Sequence, residues 1–168
     1  MKTKTNSKTD TKQQLSDLLL QVNNDLAITN SLDEALEALV GITTSIIKCE
    51  RGTIFLNDAK SEELYSRVAQ GNFMREIRFM NSKGVAGWSY TNKKGAIVHD
   101  AYKDDRFNKN VDIRTGFRTK SILCMPLSTV SGKVIGVSQL LNKLDGQFSE
   151  NDLELIEAMT KQAAIAIQ

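Results

Sequence analysis

The spacing of the apolar residues changes twice along this chain, and the two changes restrict the folds that it can adopt. Over residues 15–26 and 32–47 the apolar side chains recur every three or four positions, which is the period of an amphipathic helix. Between residues 52 and 141 they form short β-rich segments, which are typical of strands. The helical period returns over residues 153–167. This order predicts an α+β fold with a mostly antiparallel central sheet, helices packed on it, and adjacent N- and C-terminal helices.

Local signals place the ends of several elements. Ser31 with Glu34, and Ser149 with Asp152, have the spacing of residues that cap the first turn of a helix. The pattern predicts strands at 52–57, 63–69, 76–80, 121–127 and 134–141, a short helix at 83–92 and a brief apolar run at 96–98.

Turn residues and one polar segment complete this outline. Ser131 and Gly132 predict a hairpin between the last two strands, and Pro126 implies a strand end or edge because proline cannot donate to a ladder. Residues 100–120 are polar and charged, and we expect a long functional loop there.

The two ends of the chain carry different expectations. Residues 1–13 hold no apolar side chain after the initiating Met, so they are predicted to be a disordered tail before a domain at 14–168. The apolar stripe of the last helix reaches the final residue without a Gly or Pro stop. We therefore expect this domain to be a fragment of a longer signalling protein.

Composition and charge exclude several classes of function. Twenty-two basic and twenty acidic residues are spread along the 168-residue chain, which gives no footprint for a nucleic acid. No run of about 18 apolar residues and no secretory signal occur, so we expect a cytoplasmic protein without membrane contact from this segment. Cys49 and Cys124 lie in apolar stretches, which fits a reducing compartment.

Catalytic and cofactor motifs are missing from the sequence. The one histidine, His99, lies in no motif, so a nucleophile would have no evident base and we expect no catalytic residue. The two cysteines have no metal-ligand spacing, and neither of the common glycine-rich phosphate motifs occurs, so we expect no metal and no cofactor.

A set of groups suited to a small anion remains. Gly84 to Gly87 open a helix, whose first N–H groups favour negative charge, and Thr115 and Thr119 lie near arginines in the polar segment. A solvated polar face would give the same pattern, so both interpretations stay open.

Eight segments, taken in order, resemble the GAF domains of cyclic-nucleotide phosphodiesterases and bacterial adenylate cyclases. They are residues 49–56, 84–87, 100–102, 106–107, 111–112, 115–119, 121–126 and 134–137. A signature of this subclass is matched by Asn142, Lys143, Phe148 and Asp152, while Leu153 stands where the family has Glu.

The resemblance implies both a GAF-like fold and a set of site residues. Family ligand contacts fall on Arg51, Thr53, Ala69, Gln70, Val85, Ala86, Asn108, Val111, Asp112, Thr115, Thr119 and Gln139. By the same resemblance, Lys143 and Asp152 form an ion pair that braces the pocket.

The implied roles divide between phosphate and base. Val85 and Ala86 would offer N–H groups to the cyclic phosphate, Thr115 and Thr119 would add hydroxyl donors, Arg51 would add charge and Val111 would cover one purine face. Some guanine-binding relatives have a carboxylate where this chain has Gln139, whose amide can donate and accept toward adenine. The resemblance therefore favours cAMP over cGMP, with Gln70 and Asp112 as further candidates for reading the base edge.

The leading hypothesis is a non-catalytic regulatory domain that binds a cyclic nucleotide and controls a downstream nucleotide cyclase, diguanylate cyclase or phosphodiesterase. The terminal helices predict a homodimer, although intramolecular packing would explain their apolar stripes equally well. The alternatives are a ligand-free GAF dimerisation module, a free methionine sulfoxide reductase that uses Cys49 or Cys124, and a bilin-binding domain. The last commonly has Cys followed by His, whereas Glu50 and Met125 follow the cysteines here.

Overall fold

A computed structural model describes residues 4–26, 31–71 and 76–168. These residues form five helices and six strands. The helices are α1 Lys4–Leu26, α2 Leu32–Ile47, α3 Gly84–Asn92, α4 Lys109–Thr115 and α5 Glu150–Ile167, with a 3₁₀ turn at Ala101–Lys103. The strands are β1 Cys49–Asp58, β2 Glu63–Ala69, β3 Arg78–Met80, β4 Ala96–Val98, β5 Ile122–Ser128 and β6 Val134–Lys143.

The six strands form one sheet in the order β3-β2-β1-β6-β5-β4, and every neighbouring pair is antiparallel. The first three strands follow one another as a meander, and β5 and β6 form the hairpin expected at Gly132, whose φ is +87°. Because β6 pairs with both β1 and β5, the last strand of the chain lies in the middle of the sheet. The predicted antiparallel α+β architecture is confirmed.

The sheet separates two apolar clusters. Helices α2 and α5 cover one face, where Ile54 and Leu123 belong to the main core, and α1 packs on these two helices. The next residues along the same strands, Phe55 and Cys124, belong to a second cluster on the other face with Val85 of α3. Successive side chains of a strand point to opposite faces, so a sheet buried on both sides needs such unbroken apolar runs.

Side-chain caps begin both helices for which the sequence predicts them. The Ser31 hydroxyl accepts a hydrogen bond from the Glu34 N–H at 3.2 Å. At α5 the bonds are reciprocal, because the Asp152 N–H donates to the Ser149 hydroxyl at 3.3 Å and the Ser149 N–H donates to the Asp152 carboxylate at 2.9 Å. These bonds satisfy donors that have no partner within the helix.

Helix α1 starts earlier than the sequence predicts. It begins at Lys4, inside the segment expected to be a disordered tail. Leu18 is 1% exposed in the main core, where α1 packs on α2 and α5. Once that part is helical, each further turn adds backbone hydrogen bonds without a new nucleation step, so polar residues can extend the helix.

The predicted loop at 100–120 contains regular structure. Besides the 3₁₀ turn it holds α4, which the Asn108 side chain caps by accepting from the Asn110 N–H at 3.2 Å. Gly116, at a φ of +71°, ends α4 in the left-handed conformation that favours glycine. A polar helix of only seven residues has too few apolar positions for its period to show in the sequence.

Pro126 lies within β5 and not at its end. Strand β4 pairs only with Ile122–Cys124, so Pro126 stands beyond the end of β4, on a stretch of β5 that has a ladder partner on the β6 side. At Pro126, β5 therefore has a neighbour on one side only, as the sequence implied. Nearer its start, β5 is an inner strand because β4 pairs with it there.

The terminal helices use their apolar stripes within the chain. Leu18 packs in the core, whereas Leu20 on α1 and Ile165 on α5 are 63% and 60% exposed. Val22 and Leu26, which complete the predicted α1 stripe, lie outside the described side chains. Among the described helices, none combines the length and the apolar character that crossing a bilayer requires.

Two glycines test how closely α2 packs on the sheet. A Cβ at Gly52 would lie 2.8 Å from Val40 Cγ1 and 2.9 Å from Thr44 Cγ2, whereas a Cβ at Gly41, within α2, would meet nothing within 4 Å. Gly52→Ala should therefore destabilise the fold by about 1–3 kcal/mol. Gly41→Ala should be neutral or stabilising by up to about 1 kcal/mol. Urea unfolding of both variants measures the difference, and equal midpoints would contradict the close packing.

Candidate ligand-binding cavity

A cavity lies on the second face of the sheet, between the strands, the start of α3 and residues 107–119, here named the lid segment. Its volume is about 60 Å³. Eleven of the twelve predicted ligand-binding residues line it: Arg51, Thr53, Gln70, Val85, Ala86, Asn108, Val111, Asp112, Thr115, Thr119 and Gln139. The remaining walls are Phe55, Ile77, Phe79, Gly84, Phe107, Phe117, Ile122 and Leu141.

The floor of the cavity includes Thr53 and Gln139, which belong to a row of paired residues that runs across four neighbouring strands. In register, Ala69 of β2 pairs with Thr53 of β1, Thr53 with Gln139 of β6, and Gln139 with Cys124 of β5. Directly paired residues share a face of the sheet and lie within contact distance. Ala69 stands at the end of this row and is the predicted residue that does not line the cavity.

The start of α3 forms one wall. Gly84, at a φ of +73°, leads into the helix, and Val85 and Ala86 are both 2% exposed. A Cβ at Gly87 would lie 2.8 Å from the Ser82 carbonyl carbon, so this turn needs glycine. The N-cap residue Lys83 makes no side-chain capping bond, so the first-turn N–H groups beside the cavity have no cap from that residue.

The lid segment is fastened through the carboxylate of Asp112, which is 7% exposed. Its Oδ2 accepts from the Tyr102 hydroxyl and from the Thr119 N–H, each at 2.8 Å, and its Oδ1 accepts from the Thr119 hydroxyl at 2.6 Å. Donation to a carboxylate raises the pKa of Tyr102 above its ordinary value. We name this set of bonds the Asp112 latch.

The latch differs from the roles expected for two of its members. Asp112 was a candidate for reading a base edge, but both of its oxygens already accept bonds from the protein. The Thr119 hydroxyl was expected to donate to a phosphate, and here it donates to Asp112. A carboxylate as buried as Asp112 needs donors of its own, and Tyr102 and Thr119 supply them.

Two contacts between an arginine and an aromatic ring also involve the lid segment. The Arg51 guanidinium lies 4.0 Å from the centre of the Phe117 ring, and the Arg118 guanidinium lies 3.6 Å from that of Tyr102. Thr115 accepts from the Phe117 N–H at 3.3 Å through its hydroxyl oxygen, which leaves the hydroxyl hydrogen to point elsewhere. In this state Arg51 therefore contacts the lid segment and fills part of the cavity.

The two glutamines of the site have different surroundings. Gln70 is bonded at both ends of its amide, because Oε1 accepts from the Gly52 N–H at 2.9 Å and Nε2 donates to the Thr44 hydroxyl at 3.3 Å. It ties the end of β2 to β1 and α2, which differs from the expected role in reading a base. Gln139 accepts at Oε1 from the Cys124 thiol, with a distance of 3.6 Å from Sγ to Oε1.

The signature residues lie outside the cavity and join the elements around it. Lys143 Nζ lies 3.1 Å from the Asp152 carboxylate and also donates to the Ile47 carbonyl at the end of α2. Asp152 caps α5 with Ser149, so one ion pair connects β6, α2 and α5. Lys143 and Asp152 thus have the geometry that the family resemblance implies.

Asn142 joins β6 to the base of the lid segment. Its backbone is left-handed at a φ of 61°, a conformation that asparagine tolerates better than most residues. The side-chain oxygen accepts from the N–H groups of Lys120 and Ser121 at 2.6 and 3.2 Å, and the side-chain nitrogen donates to the Arg118 carbonyl and to Glu50, each at 2.9 Å.

The other two signature positions are apolar. Phe148 is 2% exposed in the main core. Leu153, which replaces the family's Glu, is partly buried against the same core and lies close to Gly95. Leucine suits these surroundings, where a carboxylate would lose solvation.

Comparison with known families gives the assignment, because the family model described as "GAF domain" matches residues 31–167. The chain belongs to the GAF family. The fold agrees with solved structures: a GAF domain of a phosphoenolpyruvate-protein phosphotransferase from Coxiella burnetii is similar with a TM-score of 0.83 and 16% identity, over 92% of this chain and 93% of that one. A free methionine-R-sulfoxide reductase from Neisseria meningitidis is similar with a TM-score of 0.74 and 19% identity, over 90% and 89% of the two chains.

Curated relatives of this GAF domain are phosphodiesterases by name. A probable 3',5'-cyclic phosphodiesterase of Caenorhabditis elegans is 34% identical over 149 residues, which are 82% of this chain and 20% of the relative. A dual 3',5'-cyclic-AMP and -GMP phosphodiesterase of Drosophila melanogaster is 28% identical over 95% of this chain and 12% of its own length. The chain thus spans a fifth or less of these relatives. Membership identifies it as a regulatory sensor domain and not a catalytic one, although the reductase shows that some neighbours by fold are enzymes.

The cysteines of this GAF domain are poorly suited to thiolate chemistry. Burial raises the pKa of Cys49 to about 12 and raises the pKa of Cys124 above its ordinary range. They belong to clusters on opposite faces of the sheet, and neither is in a disulfide. His99 is exposed at the end of β4, and the described part of the chain holds no group of three His, Cys, Asp or Glu side chains that could bind a metal ion.

Sequence reasoning did not assign Tyr102, Phe117 or Cys124 to the site. Tyr102 lies within a segment that carries the GAF resemblance, but its hydroxyl gains a role only once Asp112 is placed beside it. Phe117 gave a weak signal as an isolated aromatic in a polar segment. Cys124 was expected in the core, where it lies, and its contact with Gln139 depends on strand register.

The Lys143–Asp152 pair should contribute strongly to stability. The two side chains are 14% and 9% exposed, so Lys143→Met leaves a nearly buried carboxylate without its cation and should cost about 3 kcal/mol. The control is Lys161→Met, which removes a cation from the exposed pair with Glu157 on α5 and should change stability by less than about 0.5 kcal/mol. Chemical unfolding measures both, and similar losses in the two variants would contradict a bracing role.

The latch should control how often the lid segment opens. Tyr102→Phe keeps the ring contacts with Arg118 and Phe107 but removes the donor to Asp112. Amide hydrogen exchange in α4 should become about tenfold faster, since one hydrogen bond to a charged group is worth roughly 1.5 kcal/mol. Tyr90→Phe on α3 makes the same chemical deletion away from the latch and should leave α4 unchanged. Unaltered exchange in Tyr102→Phe would show that the latch does not hold the segment.

Proposed function

We propose that this GAF domain binds a cyclic nucleotide, with cAMP preferred over cGMP, and that occupancy regulates a catalytic domain elsewhere in a longer signalling protein. The observation that carries the proposal is that eleven of the twelve residues implied by the family resemblance line one cavity, between a helix N-terminus and a latched lid segment. The curated relatives, which are named as cyclic-nucleotide phosphodiesterases, support the same class of ligand.

The phosphate end of the site would lie at the start of α3. First-turn N–H groups and the helix dipole favour an anion there. Thr115 lines the same cavity and has a hydroxyl hydrogen that its bond to Phe117 does not use. Arg51 would supply positive charge after leaving the Phe117 ring.

The proposed preference for adenine follows from the hydrogen-bond donors and acceptors that Asp112 and Gln139 still offer to a base. Guanine presents N1–H and N2–H donors, which require acceptors in the site. The Asp112 carboxylate accepts from Tyr102 and Thr119, and the Gln139 carbonyl accepts from Cys124. The Gln139 NH₂ group remains as a donor, and it suits adenine N1, which is an acceptor where guanine N1 carries a hydrogen.

The small volume of the cavity provides the means of regulation. Its volume of about 60 Å³ is far below the 300–1,000 Å³ typical of small-molecule sites. A nucleotide would therefore need the Arg51–Phe117 contact and the lid segment to rearrange. A ligand that binds the rearranged state more tightly shifts the population toward it, and the ties to α5 would carry that shift outward.

The output would pass through the terminal helices. Leu20 and Ile165 are exposed apolar side chains on α1 and α5, and they are the positions at which a second copy would pack in the proposed homodimer. A ligand-free dimerisation module is the second candidate, because the cavity is small in the closed state. A sulfoxide reductase role is disfavoured by the raised pKa values of both buried thiols.

Calorimetric titration of protein that has been unfolded and refolded, so that no nucleotide is carried over, tests the proposal. We expect saturable binding that is tighter for cAMP than for cGMP. Thr115→Ala should weaken cAMP about fivefold through loss of one hydroxyl contact, whereas Thr91→Ala, an exposed threonine near the end of α3, should change nothing.

Three other outcomes would count against parts of the proposal. Tighter cGMP binding would overturn the base preference. No heat with either nucleotide would favour the dimerisation module. Light scattering on the same samples measures the mass, and a monomer at every concentration would overturn the homodimer.

A further inference from the structure

A buried thiol contacts Gln139, the cavity residue that is proposed to meet the base. Cys124 is 0% exposed and packs in the apolar cluster of the cavity face, with Ala86, Ala96 and Val137 among its members. It is the register partner of Gln139 across the β5–β6 ladder, and its Sγ lies 3.6 Å from Gln139 Oε1.

In the structure the thiol donates and the Gln139 carbonyl accepts. Burial among apolar side chains keeps Cys124 protonated, so its single hydrogen is a donor. An amide turned the other way would lose this bond, and its N–H₂ would find only the sulfur, which is a weak acceptor. The carbonyl end of Gln139 therefore faces Cys124, and the N–H₂ end is left for the cavity that Gln139 lines.

We propose that Cys124 is a positioning residue that sets the base preference of this GAF domain, because its thiol fixes the orientation of the Gln139 amide. The inference rests on the proposed cyclic-nucleotide function. A glutamine that could turn over would present either a donor or an acceptor, and would accept guanine N1–H nearly as well as it donates to adenine N1. With its carbonyl held, Gln139 offers a donor, which suits adenine and opposes the N1–H of guanine.

The preference depends on this one amide because the neighbouring acceptors are engaged. The Asp112 oxygens belong to the latch, and Gln70 Oε1 accepts from Gly52. Removing the Cys124 thiol would therefore free the Gln139 amide to turn, while the contacts of Asp112 and Gln70 would stay in place.

The test compares the ratio of the cGMP and cAMP dissociation constants in four refolded, nucleotide-stripped proteins. Cys124→Val removes the donor while nearly keeping the side-chain volume, and the ratio should fall about fivefold as the amide becomes able to turn. Cys124→Ser keeps a donor and should hold the ratio within about twofold of the wild type. Cys49→Val deletes the other buried thiol, on the opposite face of the sheet, and should leave the ratio unchanged.

The outcomes separate this inference from the proposed function. A wild type that prefers cAMP, with a lowered ratio in Cys124→Val alone, supports the inference. An unchanged ratio in Cys124→Val, or an equal fall in Cys124→Ser, overturns it while the proposed function stands. A wild type that binds neither nucleotide, or prefers cGMP, overturns the proposal and the inference together. Thermal melts show whether each variant folds. If Cys124→Val does not fold, Cys124→Ala replaces it, and the same fall in the ratio is expected.

Discussion

The end of the central strand β6 is the point on which both faces of this domain depend. Two consecutive residues there serve opposite sides: Asn142 holds the base of the lid segment, and Lys143 holds the ends of α2 and α5. Leu140 packs on the helical face and Leu141 on the cavity face, so strict alternation would place Asn142 and Lys143 the other way round. The left-handed backbone of Asn142 breaks the alternation and allows this division, and the central place of β6 makes it reach the whole sheet. A displacement of this strand end would loosen the lid segment and the C-terminal helix together. The signature therefore couples the cavity face to the helical face without contributing an atom to the cavity.

The groups proposed to bind a ligand are engaged with one another in this structure. Arg51 stacks on Phe117, and Thr119 donates to Asp112, so a nucleotide would compete with contacts inside the protein before it gained its own. An affinity measured for such a site is the intrinsic affinity reduced by the fraction of open molecules. Changes in the latch would shift affinity for every nucleotide alike, whereas changes around Gln139 would alter the choice between them. Affinity and selectivity are thus assigned to different residues of one small site.

Much of this arrangement could be predicted from the sequence because it depends on local patterns. Periodicity and turn residues located the helices and strands, and the Ser149–Asp152 spacing located the cap of α5. The departures arise where tertiary contacts decide. The short helix α4 has too few apolar positions to show a period, and Asp112 exchanges its expected role for the latch only because Tyr102 and Thr119 meet it in space. The contact between Cys124 and Gln139 could not be predicted from the sequence, because it depends on an irregular strand register. Counting outward from the turn pair Ser128–Val134 would set Cys124 opposite Ser138, but an irregularity between Leu127 and Ser128 shifts the register by one residue.

Pro126, the single proline of the chain, has a consequence beyond marking the end of β4. Where β4 stops, β5 would offer an unpaired row of N–H and C=O groups, and such a row is a template on which another chain can add a strand. Proline has no N–H and cannot complete that ladder, so it interrupts the row at the position where the neighbouring strand no longer covers it. The chain therefore protects the open half of an inner strand against self-association with one residue.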